Sequence, residues 1–309
     1  MEVCARYPGS CGEIIQGHIH GKDMLISCPV DLFTTVRVFE CKKPANRFKY
    51  IKSSALLHNM LKRWGLEHLN GLLDIDIESS IPQSKGFASS TADLCGVYIC
   101  LLKLFKRKYD ITEAIEEFVK IEPTDSIIFR EMALFDYKDG GYYERIGDYL
   151  KFYILAFEGR RIIDTVAYNK KKLPKLSDLS DIFPLVEEGI KSADISKIAV
   201  ASTASIKRNL NRLPYDVYGA VLNICNITGG LGIIGGHSGD VLGIIYDDKE
   251  RLLYAADRYK DAIEGYKPHM LETLRRNEYE GDYDYSPEER QRENDGDDRN
   301  NQSSLKHGL

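Results

Sequence analysis

The stretch PQSKGFASSTA at 82–92, running into the apolar segment DLCGVYICLLKLF at 93–105, constrains this chain more than any other. A Pro turn and a glycine-bearing loop lead into a run too long and too apolar for an ordinary strand, so the run reads as a helix. Ser89, Ser90 or Thr91 caps or opens it. The first N–H groups of such a helix lack intrahelical acceptors, and the helix dipole adds partial positive charge beside them. That geometry holds phosphate. Gly86 lets backbone approach a ligand closely, Lys85 adds a full charge, and the hydroxyls of Ser89 and Ser90 can bond phosphate oxygens or a hard ion such as Mg²⁺. The plainer alternative is a helix cap after a Pro turn. Neither the G-x-x-x-x-G-K-[ST] loop nor the dinucleotide fingerprint is present.

Two further segments carry candidate chemistry. KIEPTDSIIF at 120–129 places Glu122 and Asp125 around Pro123 at a helix end. Paired carboxylates suit phosphoryl transfer, one holding Mg²⁺ while the other orients or deprotonates an attacking hydroxyl. A helix-end charge plus a capping aspartate explains the same residues without chemistry. GGLGIIGGHSGDVLGIIY at 229–246 sets His237, Ser238 and Asp240 at a turn between two strand-like runs, with glycines that admit a ligand close to backbone. A tight hairpin is the competing explanation.

The organisation is that of a soluble enzyme. Of 309 residues, 43% are hydrophobic and 29% charged, enough for a substantial core and for one large domain or two ordinary ones. The net charge of −5 argues against a dedicated nucleic-acid binder. Seven cysteines without a C-x-x-C pair fit scattered core thiols in a reducing compartment. His18 and His20 have no Cys/His cluster around them to make a metal site. No apolar run of about 18 residues and no leader pattern occur, so no membrane partner and a cytoplasmic location are expected.

Strands are expected over 25–40, 72–79, 149–159 and 161–169, and around the glycine turns of 229–246. Helices are expected over 56–66 and 93–105, from about Thr112, twice between 175 and 210, before Gly229, and over 250–263. In 72–79, Leu73, Ile75 and Ile77 alternate with Asp74, Asp76 and Glu78, the pattern of a half-buried strand. A domain boundary is expected near 148, giving domains at 1–148 and 149–275. The polar segment 276–309 reads as a disordered tail.

Together the three segments resemble the GHMP kinases (galactose, homoserine, mevalonate and phosphomevalonate kinases). The loop is similar to their P-x-x-x-G-[LF]-x-S-S-x-A motif through Pro82, Gly86, Phe87, Ser89, Ser90 and Ala92, with Ala88 where a Gly is more usual. The opening Pro8, Ser10, Cys11, Gly12, Glu13, Ile15, Gln16 and Gly17, then Ser27, Cys28, Pro29, Val30 and Asp31, is similar to the branch that phosphorylates L-threonine for cobalamin biosynthesis, as is E-P-T-D-S at 122–126. The likeness spans about 5–260. It implies an α+β, two-domain fold, with an N-terminal domain like domain 2 of ribosomal protein S5 and a ferredoxin-like C-terminal domain.

The resemblance also implies a kinase with ATP and Mg²⁺ as cofactors. ATP would lie on Pro82, Ser84, Lys85, Gly86, Phe87, Ala88, Ser89 and Ser90, Mg²⁺ on Ser90 and Glu122, and the acceptor's proton on Asp125. Ser10, Glu13, Gln16, His237 and Ser238 are candidate contacts to L-threonine, Glu13 as acceptor for its ammonium. A GHMP kinase with another acceptor, such as homoserine, or a non-catalytic nucleotide-binding relative are the alternatives. No oligomeric state follows from the sequence.

Overall fold

The computed structural model describes residues 1–161 and 173–278. The strand expected over 161–169 lies, after its first residue, outside the described residues, as does 279–309 of the expected tail. The described residues belong to one compact unit.

Three sheets build it. The first has the order β1-β4-β5, all antiparallel, from β1 (Glu2–Ser10), β4 (Pro29–Glu40) and β5 (Leu73–Ser79). The second runs β2-β3-β6-β7, from β2 (Ile15–Ile19), β3 (Lys22–Ile26), β6 (Met132–Phe135) and β7 (Tyr143–Gly147). The third runs β11-β8-β10-β9, from β8 (Tyr153–Glu158), β9 (Gly232–Gly235), β10 (Val241–Tyr246) and β11 (Lys267–Glu272).

The helix foreseen after the glycine loop is α2 (Ser89–Phe105), and it is buried along almost its whole length from Thr91 to Leu102. A helix apolar on every side belongs inside. It lies across β1 and β4, so close that a Cβ on Gly96 would stand 2.4 Å from Val36 Cγ2. Against its other side packs α1 (Ile51–Arg63), through Leu56, Leu57, Met60 and Leu61. Helix α3 (Ile111–Val119) is capped by Asp110, whose carboxylate accepts from Thr112 N and Glu113 N, two positions before the expected cap at Thr112.

The third sheet is covered by α5 (Ile195–Asn209), α6 (Tyr218–Thr228) and α7 (Lys249–Tyr259), while α4 (Phe183–Lys191) packs on α5 and on β7 of the second sheet. Helix α5 packs on β9 and also reaches β2. The core there joins Leu155 and Phe157 of β8 to Val221, Leu242, Ile244 and Leu252.

In β5 the expected alternation fails at Asp74. It is buried, and its carboxylate accepts from Ala45 N at 2.9 Å and Asn46 N at 3.2 Å, which compensates the burial. All seven cysteines are free, and Cys11, Cys28, Cys95, Cys100 and Cys225 are buried. Among the described residues no helix is long and apolar enough to cross a membrane.

Candidate active site

The start of α2 opens on a cavity of about 490 Å³. The residue before the helix, Ala88, sits in the left-handed region at φ 53°, and no side chain caps the first turn. Its leading amides are therefore left for a ligand, as the loop composition suggests. Ser84, Gly86, Phe87, Ala88, Ser89 and Ser90 line the cavity, and Thr91 continues the wall.

Backbone contacts from both ends of the chain brace this loop. Gly12 N donates to Gly86 O at 2.9 Å, Ser10 N to Phe87 O at 3.0 Å, and Asp240 N to Lys85 O at 2.8 Å. Gly86 has φ 94°, and a Cβ on Gly239 would lie 2.4 Å from Gly86 Cα. Only glycines permit that approach.

Lys85 is placed differently from the phosphate ligand of the sequence reading. Its ammonium donates to Gly159 O at 2.8 Å and Arg161 O at 2.9 Å, and it does not line the cavity. Pro82 and Ser10 are also absent from the lining, and Ser10 is fully buried.

Across from the helix start stand Glu122 and Asp125, with Pro123 and Thr124 between them in the wall. Glu122 is buried and accepts from Ser90 Oγ on one oxygen and from Lys52 Nζ, at 2.6 Å, on the other. Lys52, on α1, is the cation in the lining, and its spacing in KSSALLH carries no motif. Asp125 N donates to Thr91 Oγ1 at 3.1 Å, and Asp125 Oδ1 accepts from Ile127 N at 3.2 Å, capping the short helical turn Ser126–Ile128. Asp125 is therefore both a cap and a cavity-wall carboxylate. Burial first, and the nearby Glu13 carboxylate second, push its pKa up to about 7.

The remaining wall comes from Glu13 just before β2, Gln16 of β2, Leu25 of β3, Tyr137 just after β6 and Ser238 of the glycine turn. His237 stands behind this wall. Its N and Nδ1 both meet Glu13 Oε2, at 2.8 and 3.0 Å, and its Nε2 meets Ser205 Oγ at 3.0 Å. Both ring nitrogens are thus engaged by protein, Glu13 and His237 standing 224 positions apart in the sequence. Asp240 is buried and forked by Arg161, with Nη2–Oδ1 at 2.6 Å and Nε–Oδ1 at 2.8 Å.

Lys52, Tyr137 and Ser205 are site-forming residues that the sequence did not single out. A second cavity, of about 420 Å³, lies on the far side of α1, with Phe48, Ile51, Ser54, His58 and Asn70 in its wall. Phe48 and Ile51 are 82% and 72% exposed, an unusual state for side chains of that kind.

A braced loop at an uncapped helix start, facing two carboxylates and a lysine across a small-molecule cavity, defines a phosphotransferase acting on small molecules. Residues 49–129 match the N-terminal domain of the GHMP kinases. An L-threonine kinase of Salmonella typhimurium is 30% identical over 251 residues, covering 79% of this chain and 83% of that protein. An L-threonine kinase of Citrobacter freundii is 28% identical over 284 residues, covering 86% of this chain and 96% of that one. Among solved structures, homoserine kinase from Cytophaga hutchinsonii superposes with a TM-score of 0.68 at 15% identity, covering 89% of this chain and 95% of its own. Mevalonate kinase of Methanococcus jannaschii gives 0.66 at 15% identity, covering 89% and 99%. The chain belongs to the GHMP kinase family and has its α+β fold. It is a small-molecule kinase, and the kinases of this family use ATP.

Proposed function

We propose that this kinase transfers the γ-phosphoryl of ATP to the side-chain hydroxyl of L-threonine, releasing ADP and O-phospho-L-threonine. The observation that carries this reading is the pair of L-threonine kinases related to the chain along most of both lengths. The structural likeness to homoserine kinase, at 15% identity, speaks for the fold and not for the acceptor. The product would feed the aminopropanol linker of cobalamin, in the cytoplasm.

The triphosphate lies against the amides that open α2, with Ser84 and Gly86–Ser90 around it. The base and ribose extend past Lys52 toward the cavity on the far side of α1. Lys52 neutralises phosphate charge in the loose transition state. Mg²⁺ fits the paired oxygens of Ser90 and Glu122, which already converge on each other, since a hard cation takes oxygen ligands and the phosphates and water can complete its shell. When bound it would neutralise charge on the β- and γ-phosphates.

Asp125 orients the threonine hydroxyl and takes its proton as the oxygen–phosphorus bond forms and the bond to the ADP oxygen breaks. Positioning contributes more than basicity in such a reaction. Glu13 accepts from the substrate ammonium, and the Ser238 amide is the donor offered to its carboxylate, since Gly236 N donates to Val241 O and His237 N to Glu13. His237 acts through Glu13 and not by contact. Lys85 and Ser10 brace the loop.

ADP release measured with L-threonine, L-serine, homoserine and mevalonate tests the acceptor. L-Threonine should give the highest kcat/KM. A higher value for homoserine would overturn the assignment, and ATP binding without turnover on any acceptor would indicate a non-catalytic relative.

A further inference from the structure

The end of the cavity away from the phosphate loop has unspent hydrogen-bonding capacity. Gln16 and Tyr137 line it, yet are only 4% and 3% exposed. Gln16 Oε1 has no hydrogen-bond partner, and Tyr137 Oη has none of normal geometry, its one polar neighbour being the Gln16 amide. Buried polar atoms without partners are rare in folded proteins, and at a cavity wall they point to a polar ligand.

Gln16 is held at its backbone, and its side chain is buried. Its N donates to Ser205 Oγ at 3.1 Å and its O accepts from Asn209 Nδ2 at 3.1 Å, both on α5. Tyr137 is held at its carbonyl by Thr124 N at 2.8 Å.

The third group at this end is Glu13. Its two hydrogen bonds from His237 both fall on Oε2, which leaves Oε1 without one. Ser205 Oγ accepts from Gln16 N and lies 3.0 Å from His237 Nε2 and 3.4 Å from Gln16 O, and His237 Nδ1 faces the Glu13 carboxylate, which can only accept.

The sign of the surroundings decides what the ligand group is. Glu13 and Asp125 are both in the lining, and the cation there, Lys52, is engaged by Glu122. A carboxylate placed beside Glu13 would be repelled. A cation would be attracted.

We propose that Glu13 Oε1, Gln16 Oε1 and Tyr137 Oη form a three-acceptor seat for a primary ammonium, one oxygen for each N–H. Tyr137 is then a specificity-determining residue, and a protonated α-amino group is an obligatory feature of the acceptor. This rests on the reading of the acceptor as a hydroxy amino acid, and adds that hydroxy acids and N-blocked amino acids are refused.

The test compares wild type with Tyr137→Phe on three compounds: L-threonine, L-threoninamide, which keeps the ammonium but has no carboxylate, and N-acetyl-L-threonine, which has the carboxylate but no ammonium. Tyr137→Phe should raise KM for L-threonine and L-threoninamide by the same factor, on the order of tenfold for one hydrogen bond to a charged group, with KM for ATP unchanged. N-Acetyl-L-threonine should be neither turned over nor competitive. A penalty on L-threonine that vanishes with L-threoninamide would mean that the hydroxyl reads the carboxylate, and would overturn the proposal, as would effective competition by N-acetyl-L-threonine. Titration calorimetry without ATP reads the seat apart from catalysis. Wild type that does not bind L-threoninamide refutes the seat, whereas binding of L-threoninamide without turnover of L-threonine refutes the acceptor assignment alone.

Discussion

Replacing Asp125 by Asn should stabilise the ligand-free protein, and more so as the pH rises. In the folded state the Asp125 carboxyl is pushed from the ordinary 3.8 up to about 7, by burial and then by Glu13. The folded protein therefore holds a proton that the unfolded chain has already released. Below about pH 4 both states are protonated and the group has no effect on stability. Between about 4 and 7 stability falls as pH rises, and above about 7 the whole loss persists. Three powers of ten in proton affinity, at about 1.36 kcal/mol each, set a ceiling of about 4 kcal/mol. Asp125 borders an open cavity, where water screens the carboxylate, so about 1–3 kcal/mol is expected at pH 8.5. Asn retains the cap, because its Oδ1 can accept from Ile127 N as Asp125 Oδ1 does. Urea unfolding of both proteins at pH 4.5, 6 and 8.5, without nucleotide, measures the gap. A gap that does not change with pH, or an Asn variant less stable than wild type at pH 8.5, would refute the assignment of burial strain to Asp125.

The same carboxyl should shape turnover: kcat/KM should rise with pH through about 7 as Asp125 ionises, and Asp125→Asn should be much slower and lack that limb, which a pH–rate profile reads directly. Glu122→Gln should weaken the apparent affinity for Mg²⁺ by about 10–100-fold, measured by varying Mg²⁺ at saturating ATP; an unchanged Mg²⁺ dependence would remove Glu122 from the metal site. Gly239→Ala should drive a Cβ into Gly86, 2.4 Å away, and raise KM for ATP while leaving most of the fold intact by circular dichroism; wild-type KM for ATP in that variant would show that the loop does not need this contact.

Local signals were enough for much of this architecture. The length and apolarity of 93–105 mark α2, and the proline loop before it marks where the helix opens. The β-branched and aromatic run of 25–40 marks β4, and helical spacing marks α1 and α7. What was not legible depended on distant partners. Strand β11 contains Pro268 and polar residues that read against a strand, yet it pairs with β8 at the sheet edge, where a proline is tolerated. Asp74 looked like a solvent-facing member of an alternating strand, but backbone amides at 45 and 46 draw it inward.

In the site, motif spacing supplied the residue types and the structure supplied their directions. Lys85 stands in the phosphate loop but reaches the carbonyls at 159 and 161. His237 stands in a glycine motif beside the cavity, yet its ring lies behind Glu13. Lys52 and Tyr137 belong to no motif, and only the packing of α1 on α2 and the path of the chain after β6 bring them to the cavity.

The meeting of Gly12, Gly86 and Gly239 has a consequence for how such a protein can change. Three backbones from remote parts of the chain touch at one point with no side chain between them. A loop lengthened to admit a bulkier nucleotide, or transplanted from a cousin, would collide with two others that were never altered. Diversification here has to come from the acceptor end of the cleft, or from all three loops moving in concert.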